Sequence, residues 1–260
     1  MGTPVVVVTG ASSGIGEALA RRIARDRRNL VLVARRAERL ATLAKELATA
    51  HGVEALALPC DLMAPDGPAS LVAELDRRGL EVDWLVNNAG FGTFGRFHEL
   101  PVERELDEIH LNVRAPVALA GLLLPGMVRR GRGAVVNVAS VAGFGPMGLN
   151  ATYSATKAFL IAFSEALAVD VEGTGVEVLC VCPGFTRTEF QEKAQIDTTQ
   201  LPSFVWMSAE EVADQAVAAV GTRTVLVNGL LNRVMAAGLR LAPRSLIARA
   251  TVTANARAAR

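Results

Sequence analysis

Four consecutive valines, Val5 to Val8, run directly into Thr9-Gly10-Ala11-Ser12-Ser13-Gly14-Ile15-Gly16, and a helical pattern with Leu19 and Ile23 on one face follows. An apolar run of this length bounded by a turn reads as a buried strand, so the order is strand, glycine-rich turn, helix. Glycines let the backbone turn tightly and approach a pyrophosphate closely. The free N–H groups and the dipole at the start of the helix supply positive charge. The spacing is Gly-x-x-x-Gly-x-Gly, and its place after a buried strand favours a nucleotide-phosphate site over a purely structural turn.

The same alternation continues. Strand patterns are expected at Leu30–Ala34, Glu54–Leu58, Val82–Val86, Ala134–Ala139 and Val176–Val181, each separated by a helix-length amphipathic stretch. This is an α/β chain, a Rossmann-type doubly wound parallel sheet with helices on both faces. Ligands of such sheets sit at the carboxyl ends of the strands, where polar residues fall here: Asp61, Asn87-Asn88-Ala89-Gly90, Ser140 and Pro183-Gly184. Each is also compatible with an ordinary Asx or Ser/Thr turn.

The second strand ends in Arg35 and Arg36, where a carboxylate would accept hydrogen bonds from an adenosine ribose. Two guanidiniums at the start of the next helix, spanning residues 37–50, oppose its dipole and so point to an anionic partner. A ribose 2′-phosphate fits, and NADP(H) is expected over NAD(H). The competing reading is that these arginines pair with Glu38 or other surface acids.

Tyr153 is the single tyrosine, and Lys157, one of three lysines, follows four residues later. A helix stacks the two side chains on one face. An ammonium about 4 Å from a phenolate, at an effective dielectric near 20, is worth about 4 kcal/mol, enough to lower a tyrosine pKa by up to about three units. That pairing suggests a general acid tuned towards neutral pH. Pro116 lies four residues after Asn112 and has no N–H to offer that residue's carbonyl, which is then left for water.

The ordered set Thr9-Gly10-x-x-x-Gly14-x-Gly16, Asn87-Asn88-Ala89-Gly90, Ser140, Tyr153-x-x-x-Lys157 and Pro183-Gly184 with Thr188 resembles the short-chain dehydrogenase/reductase family from Thr9 to about Asn228. The resemblance implies hydride transfer between a nicotinamide cofactor and a carbonyl or secondary alcohol. In it Ser140 would bond the substrate carbonyl, Tyr153 would donate the proton, and Lys157 would lower the tyrosine pKa and contact the nicotinamide ribose. Asn112 takes the position of the fourth catalytic residue, its carbonyl water relaying protons to the lysine. Gly10, Ser12, Ser13, Gly14, Ile15 and Gly16 would cradle the phosphates, with Asp61 and Leu62 at the adenine. Asn87, Ala89, Gly90, Pro183, Gly184, Thr186 and Thr188 would line the rest of the cofactor. The helices carrying Asn112 and Tyr153 are the family's usual dimer surface, so a homo-oligomer is expected.

Residues 1–228 are therefore expected to form the catalytic domain, with a substrate-covering segment at 185–207, and 229–260 a helical extension. At 260 residues and 51% hydrophobic, the chain can bury one sheet between helices. Phe185, Phe190, Leu201, Phe204, Val205, Trp206 and Met207 make the covering segment apolar, suggesting a hydrophobic ketone such as a 3-oxoacyl thioester or a steroid-like compound. Cys60, Cys180 and Cys182 show no ligand spacing, and no metal or disulfide framework is expected. The N-terminus shows no signal pattern, so a cytoplasmic enzyme is the expectation, with no nucleic-acid partner.

Net charge is only +1, yet seven arginines and no acid follow Asp214, leaving 20 basic against 26 acidic side chains elsewhere. Arg233, Arg240 and Arg244 fall at helical spacing among leucines, and Pro243 opens a last helix. This tail, which departs from the family's usual short terminal strand, is open to four readings: a cap on the core, an anionic membrane surface, an acyl carrier, or another subunit. Two alternatives to an enzyme remain, a cofactor-binding regulator and a docking protein that acts through its tail.

Overall fold

The structure is a computed structural model and describes residues 2–194 and 202–255. Seven parallel strands form one sheet in the order β3-β2-β1-β4-β5-β6-β7. The strands are β1 Thr3–Thr9, β2 Leu30–Ala34, β3 Ala55–Pro59, β4 Leu80–Asn87, β5 Gly133–Val138, β6 Val176–Cys182 and β7 Val225–Val227. The helices are α1 Gly14–Arg25, α2 Ala37–His51, α3 Gly67–Arg77, α4 Val102–Ile109, α5 Ala115–Arg130, α6 Ala151–Asp170, α7 Phe190–Lys193, α8 Ala209–Ala219, α9 Leu230–Leu241 and α10 Arg244–Asn255. The five later strands expected from sequence are all present within two residues at each end. The short β7 was not foreseen.

Strand periodicity of two explains the layering. Val6 and Val8 point into one core with Leu19 and Ile23 of α1, Leu40, Leu43 and Leu47 of α2, and Val212 of α8. Val5 and Val7 point the other way, to Leu71 and Leu75 of α3 and Leu119 and Met127 of α5. All four valines are 4% exposed or less. Burial on both sheet faces stabilises by about 1.5–3 kcal/mol per valine-sized side chain, and it accounts for a continuous apolar run where a one-sided sheet would alternate. Strand order reverses between β1 and β4, so their carboxyl ends open the crevice in which ligands of such sheets sit. A third cluster joins α6 and β6 to Ala236 and Leu239 of α9, attaching the C-terminal helices to the far edge.

Candidate active site

The crevice begins at the turn between β1 and α1. Gly10 and Gly14 have φ of 67° and 60°, a left-handed region that other residues adopt only with strain. A Cβ on Gly16 would lie 2.3 Å from the Gly10 carbonyl oxygen, so the third glycine is required by the close packing of turn on helix. Thr9 and Asn88 fasten this turn to β4. Thr9 Oγ1 accepts from the N–H groups of Asn88 (2.9 Å) and Ala89 (3.0 Å) and donates to Val86 O, while Asn88 Nδ2 donates to Thr9 O at 2.9 Å. The sequence reading gave Thr9 and Asn88 no role of their own. Their signal was proximity to the glycine-rich and Asn-Asn motifs, but the pairing spans 79 residues.

α1 starts with Ser13 extended and without a side-chain cap, leaving its leading N–H groups open to an anion. Ser12 and Ile15 flank that opening. Above it lies Arg36, the residue preceding α2. Its guanidinium donates to Ser13 Oγ (2.7 Å), Ser12 Oγ (3.1 Å) and Ser12 O (3.2 Å). Arg36 also pairs with Glu189 at 3.0 Å, and Arg39 meets the same carboxylate at 2.5 Å. The acid partnering this arginine cluster is thus Glu189 and not Glu38. Arg35 is exposed and reaches outward.

Asp61, exposed, accepts from Met63 N at 3.1 Å, and Leu62 is buried beside it at the end of β3. Asn87 is buried; its Nδ2 donates to Asn137 Oδ1 at 2.9 Å and its own Oδ1 has no partner. Ala89 and Gly90 continue from it. A Cβ on Gly90 would fall 2.8 Å from Asn112 Oδ1 and 3.6 Å from Lys157 Nζ, so this glycine borders both. Pro183 O accepts from Val141 N at 3.0 Å, Thr186 donates to Gly184 O at 3.1 Å, and Thr188 accepts from Phe190 N while its methyl lies against Gly14. The uncapped helix start, the guanidinium above it and the orphaned Asn87 oxygen fit a phosphate-bearing dinucleotide.

Ser140, Tyr153, Lys157 and Asn112 converge at the other end of the crevice. Ser140 precedes a short 3-10 turn and accepts from Ala142 N at 3.1 Å. Lys157 is buried and its Nζ donates to Val138 O at 2.8 Å, 5.6 Å from the centre of the Tyr153 ring. Asn112 sits in a five-residue π turn, His110–Arg114, immediately before Ala115 and Pro116, where Ala115 N bonds back to His110 O. Its side chain clamps the crevice floor: Nδ2 donates to Phe91 O (2.8 Å) and Thr156 Oγ1 (3.1 Å), and Oδ1 accepts from Phe91 N. Phe190 lies 5.4 Å from the Tyr153 ring and so stands over the site, while Phe185, 5.7 Å from Trp206, packs within the same 185–207 segment. Leu201 lies outside the described residues.

The electrostatics correct one expectation. Burial pushes the Tyr153 phenol up to about 12; hydrogen bonding with Ser140 pulls it back, and the Glu108 charge pushes it further up. The ammonium does not win because Lys157 has turned its Nζ to a backbone carbonyl, and burial depresses it to about 8. Glu108, fully buried, accepts from Thr93 N (3.0 Å) and Thr93 Oγ1 (2.9 Å). Burial raises its carboxyl to about 7, against the opposing hydrogen bonds. Glu105, one turn earlier, bonds Thr152 of α6. The sequence reading missed both acids. Among the described residues no group of three or more His, Cys, Asp or Glu is placed to hold a metal.

The family model for short chain dehydrogenase matches residues 4–199. An uncharacterized oxidoreductase of Myxococcus xanthus is 41% identical over 183 residues, 70% of this chain and 72% of that protein. The ketoacyl reductase HetN of a Nostoc species is 34% identical over 86% of this chain and 78% of its own length. Among solved structures, a short-chain dehydrogenase from Sphingobium yanoikuyae in complex with NADPH superposes with a TM-score of 0.81 at 38% identity, covering 87% of this chain and 88% of that one. With the family model matching most of its length, the chain belongs to the short-chain dehydrogenase family of oxidoreductases.

Proposed function

We propose that this oxidoreductase reduces a hydrophobic ketone with NADPH, residues 1–228 forming the catalytic unit and 229–260 an extension packed on it. The convergence of Ser140, Tyr153 and Lys157 beneath an apolar cover is the observation that carries the reading. When bound, the reduced nicotinamide supplies a hydride to the carbonyl carbon. Ser140 hydrogen-bonds the carbonyl oxygen and holds it near the phenol. Tyr153 gives its proton to that oxygen as negative charge builds. A phenol raised to about 12 carries its proton across the neutral range, the form that reduction requires. Lys157, with a pKa of about 8, is charged at neutral pH, and its ammonium would contact the nicotinamide ribose of the bound cofactor. Asn112 fixes the floor by joining Phe91 to α6, and the missing N–H of Pro116 keeps its carbonyl available to a water that reloads the lysine.

Arg36 supports NADP over NAD. Its guanidinium stands over Ser12 and Ser13, where a ribose 2′-phosphate would meet it, and that phosphate would displace the Glu189 carboxylate. Phe185, Phe190 and Trp206 support an apolar substrate, and the Nostoc relative, a ketoacyl reductase, is the reason to try 3-oxoacyl thioesters first. The continuous helix over 102–130 is long and apolar enough to cross a membrane by length and composition. Here α5 covers the sheet, and the exposed Val117 and Leu122, with Phe159 of α6, offer a face for a second copy in a cytoplasmic homodimer.

The test is cofactor oxidation, followed by absorbance, against 3-oxoacyl thioesters, bulky ketones and aldehydes, with NADPH and NADH in parallel. Tyr153→Phe is expected to lower kcat by about 10²–10⁴ with NADPH affinity unchanged. Retention of the native rate would remove Tyr153 from the chemistry. Arg36→Ala is expected to weaken NADPH binding by about tenfold or more, the worth of a charge-assisted bond, and to leave NADH binding within about twofold. Equal losses for the two cofactors would contradict the phosphate contact.

A further inference from the structure

The C-terminal helices face the wrong way for a soluble cap. On α9 the inward positions are Asn232 and Ala236, 5% and 4% exposed, whereas Leu230, Val234 and Leu241 stand outward at 75%, 64% and 87%. Spacings of four and seven put these three on one stripe, with Leu231 and Met235 beside it. Leu246, at the start of α10, extends the patch at 58% exposed. A contiguous apolar face of this kind marks an interaction surface.

Charge selects the occupant. Arg233 and Arg240, seven residues apart, flank the stripe on one side, the first donating to Val227 O at 3.1 Å and the second lying 4.5 Å from the centre of the Phe144 ring. Arg244 and Arg249 of α10 are exposed, and no acidic residue occurs after Asp214. A second copy docked through this face would bring arginines against arginines. The α4–α5 face differs, because there exposed Glu103 lies near Arg104 and self-pairing is electrostatically balanced. We propose that the α9–α10 face docks onto an anionic lipid bilayer, apolar stripe in the interface and arginines among the headgroups. The opposite, inward side of α10 adjoins the active-site rim. Ile247 packs against Gly145 and Val252 against Gly148, in the segment that leads from the turn after Ser140 into α6. An apolar substrate held in the bilayer would then arrive beside Tyr153.

The experiment is co-sedimentation of the full chain with vesicles of phosphatidylcholine alone and of phosphatidylcholine containing one-third phosphatidylglycerol. Binding is expected to the anionic vesicles only, weakening with salt, and Arg233→Gln or Arg244→Gln should each weaken it by about fivefold. Val234→Asp combined with Leu241→Asp should abolish it while leaving cofactor turnover in solution unchanged. To separate docking from local unfolding in that pair, Val234→Trp provides a second reading: its emission should shift to the blue on anionic vesicles alone. The proposal is overturned if the native chain stays in the supernatant with anionic vesicles, or if the doubly substituted chain binds as well as the native one. It is equally overturned if the double substitution halves the molecular mass in solution, which would assign the face to a second copy. Binding of an acidic acyl carrier protein with no binding to vesicles would overturn it in favour of that partner.

Discussion

Helices α1 and α4 are both amphipathic and both flank the crevice, yet they face in opposite senses. α1 turns Leu19, Ile23 and three alanines into the core and leaves Glu17 and Arg21 outside, bonded to each other at 2.8 Å. α4 turns Glu105 and Glu108 inward, 3% and 0% exposed, and leaves Val102, Leu106 and Ile109 at 55%, 51% and 41%. A period of 3.6 therefore establishes a helix and its two faces without saying which face meets the core. Burying two carboxylates costs free energy unless they are paired or protonated. The inward acids of α4 bond Thr93 and Thr152, beside the active site, and its outward apolar residues are exposed.

The largest effect expected from this contrast is on α1. Ile23→Ala removes a side chain 1% exposed, between β1 and β2, and should lower unfolding free energy by about 2–5 kcal/mol in denaturant titration. A loss below about 1 kcal/mol would mean that α1 is not seated as described.

Next comes the buried acid of α4. Glu108 has a carboxyl raised from 4.5 to about 7 in the folded chain, chiefly by burial. The native state therefore holds this proton more tightly than the unfolded state. Below the unfolded value both states are protonated and the site is at its most stabilising. That stability is lost as pH rises through about 7, by about 3 kcal/mol in all. Glu108→Gln keeps an acceptor for Thr93 and has no proton to lose. Between pH 5 and pH 8 the variant should gain on the native chain by up to about 3 kcal/mol, read from paired unfolding curves. Curves that stay parallel would show that the carboxylate is solvated or paired at all pH values.

These two helices also show what the sequence made legible. The α1 side could be read because every local signal agreed: a doubly buried strand, glycines at positive φ, and apolar spacing pointing at the core. Tyr153 and Lys157 were legible as a pair because helical spacing alone brings them together. Their charge states were not, since burial and the turn of Lys157 Nζ to Val138 O depend on β5, 19 residues away in the chain. Glu105 and Glu108 were hidden for a related reason. Charged residues on a helix are normally its solvent face, and only Thr93 and Thr152, brought in by other elements, show that these are not. Glu189 was equally remote, meeting Arg36 across 153 residues.

The smallest effect is the most discriminating test of the outward face of α4. Ile109→Ala removes the same atoms as Ile23→Ala, but from a side chain 41% exposed that borders a surface groove with Val113, Ala151 and Ala155. At concentrations too low for any dimer to persist, it should change unfolding free energy by no more than about 0.5 kcal/mol, as expected of a surface site. If a second copy covers the groove, the cost must grow with protein concentration, because the native dimer is then the state being weakened. Sedimentation velocity across a dilution series measures both terms, the dimer constant and its change on substitution. A substitution that is silent at every concentration would leave the groove without a partner, whereas a concentration-independent loss near that of Ile23→Ala would mean that α4 packs its apolar face inward and that the two helices are alike after all.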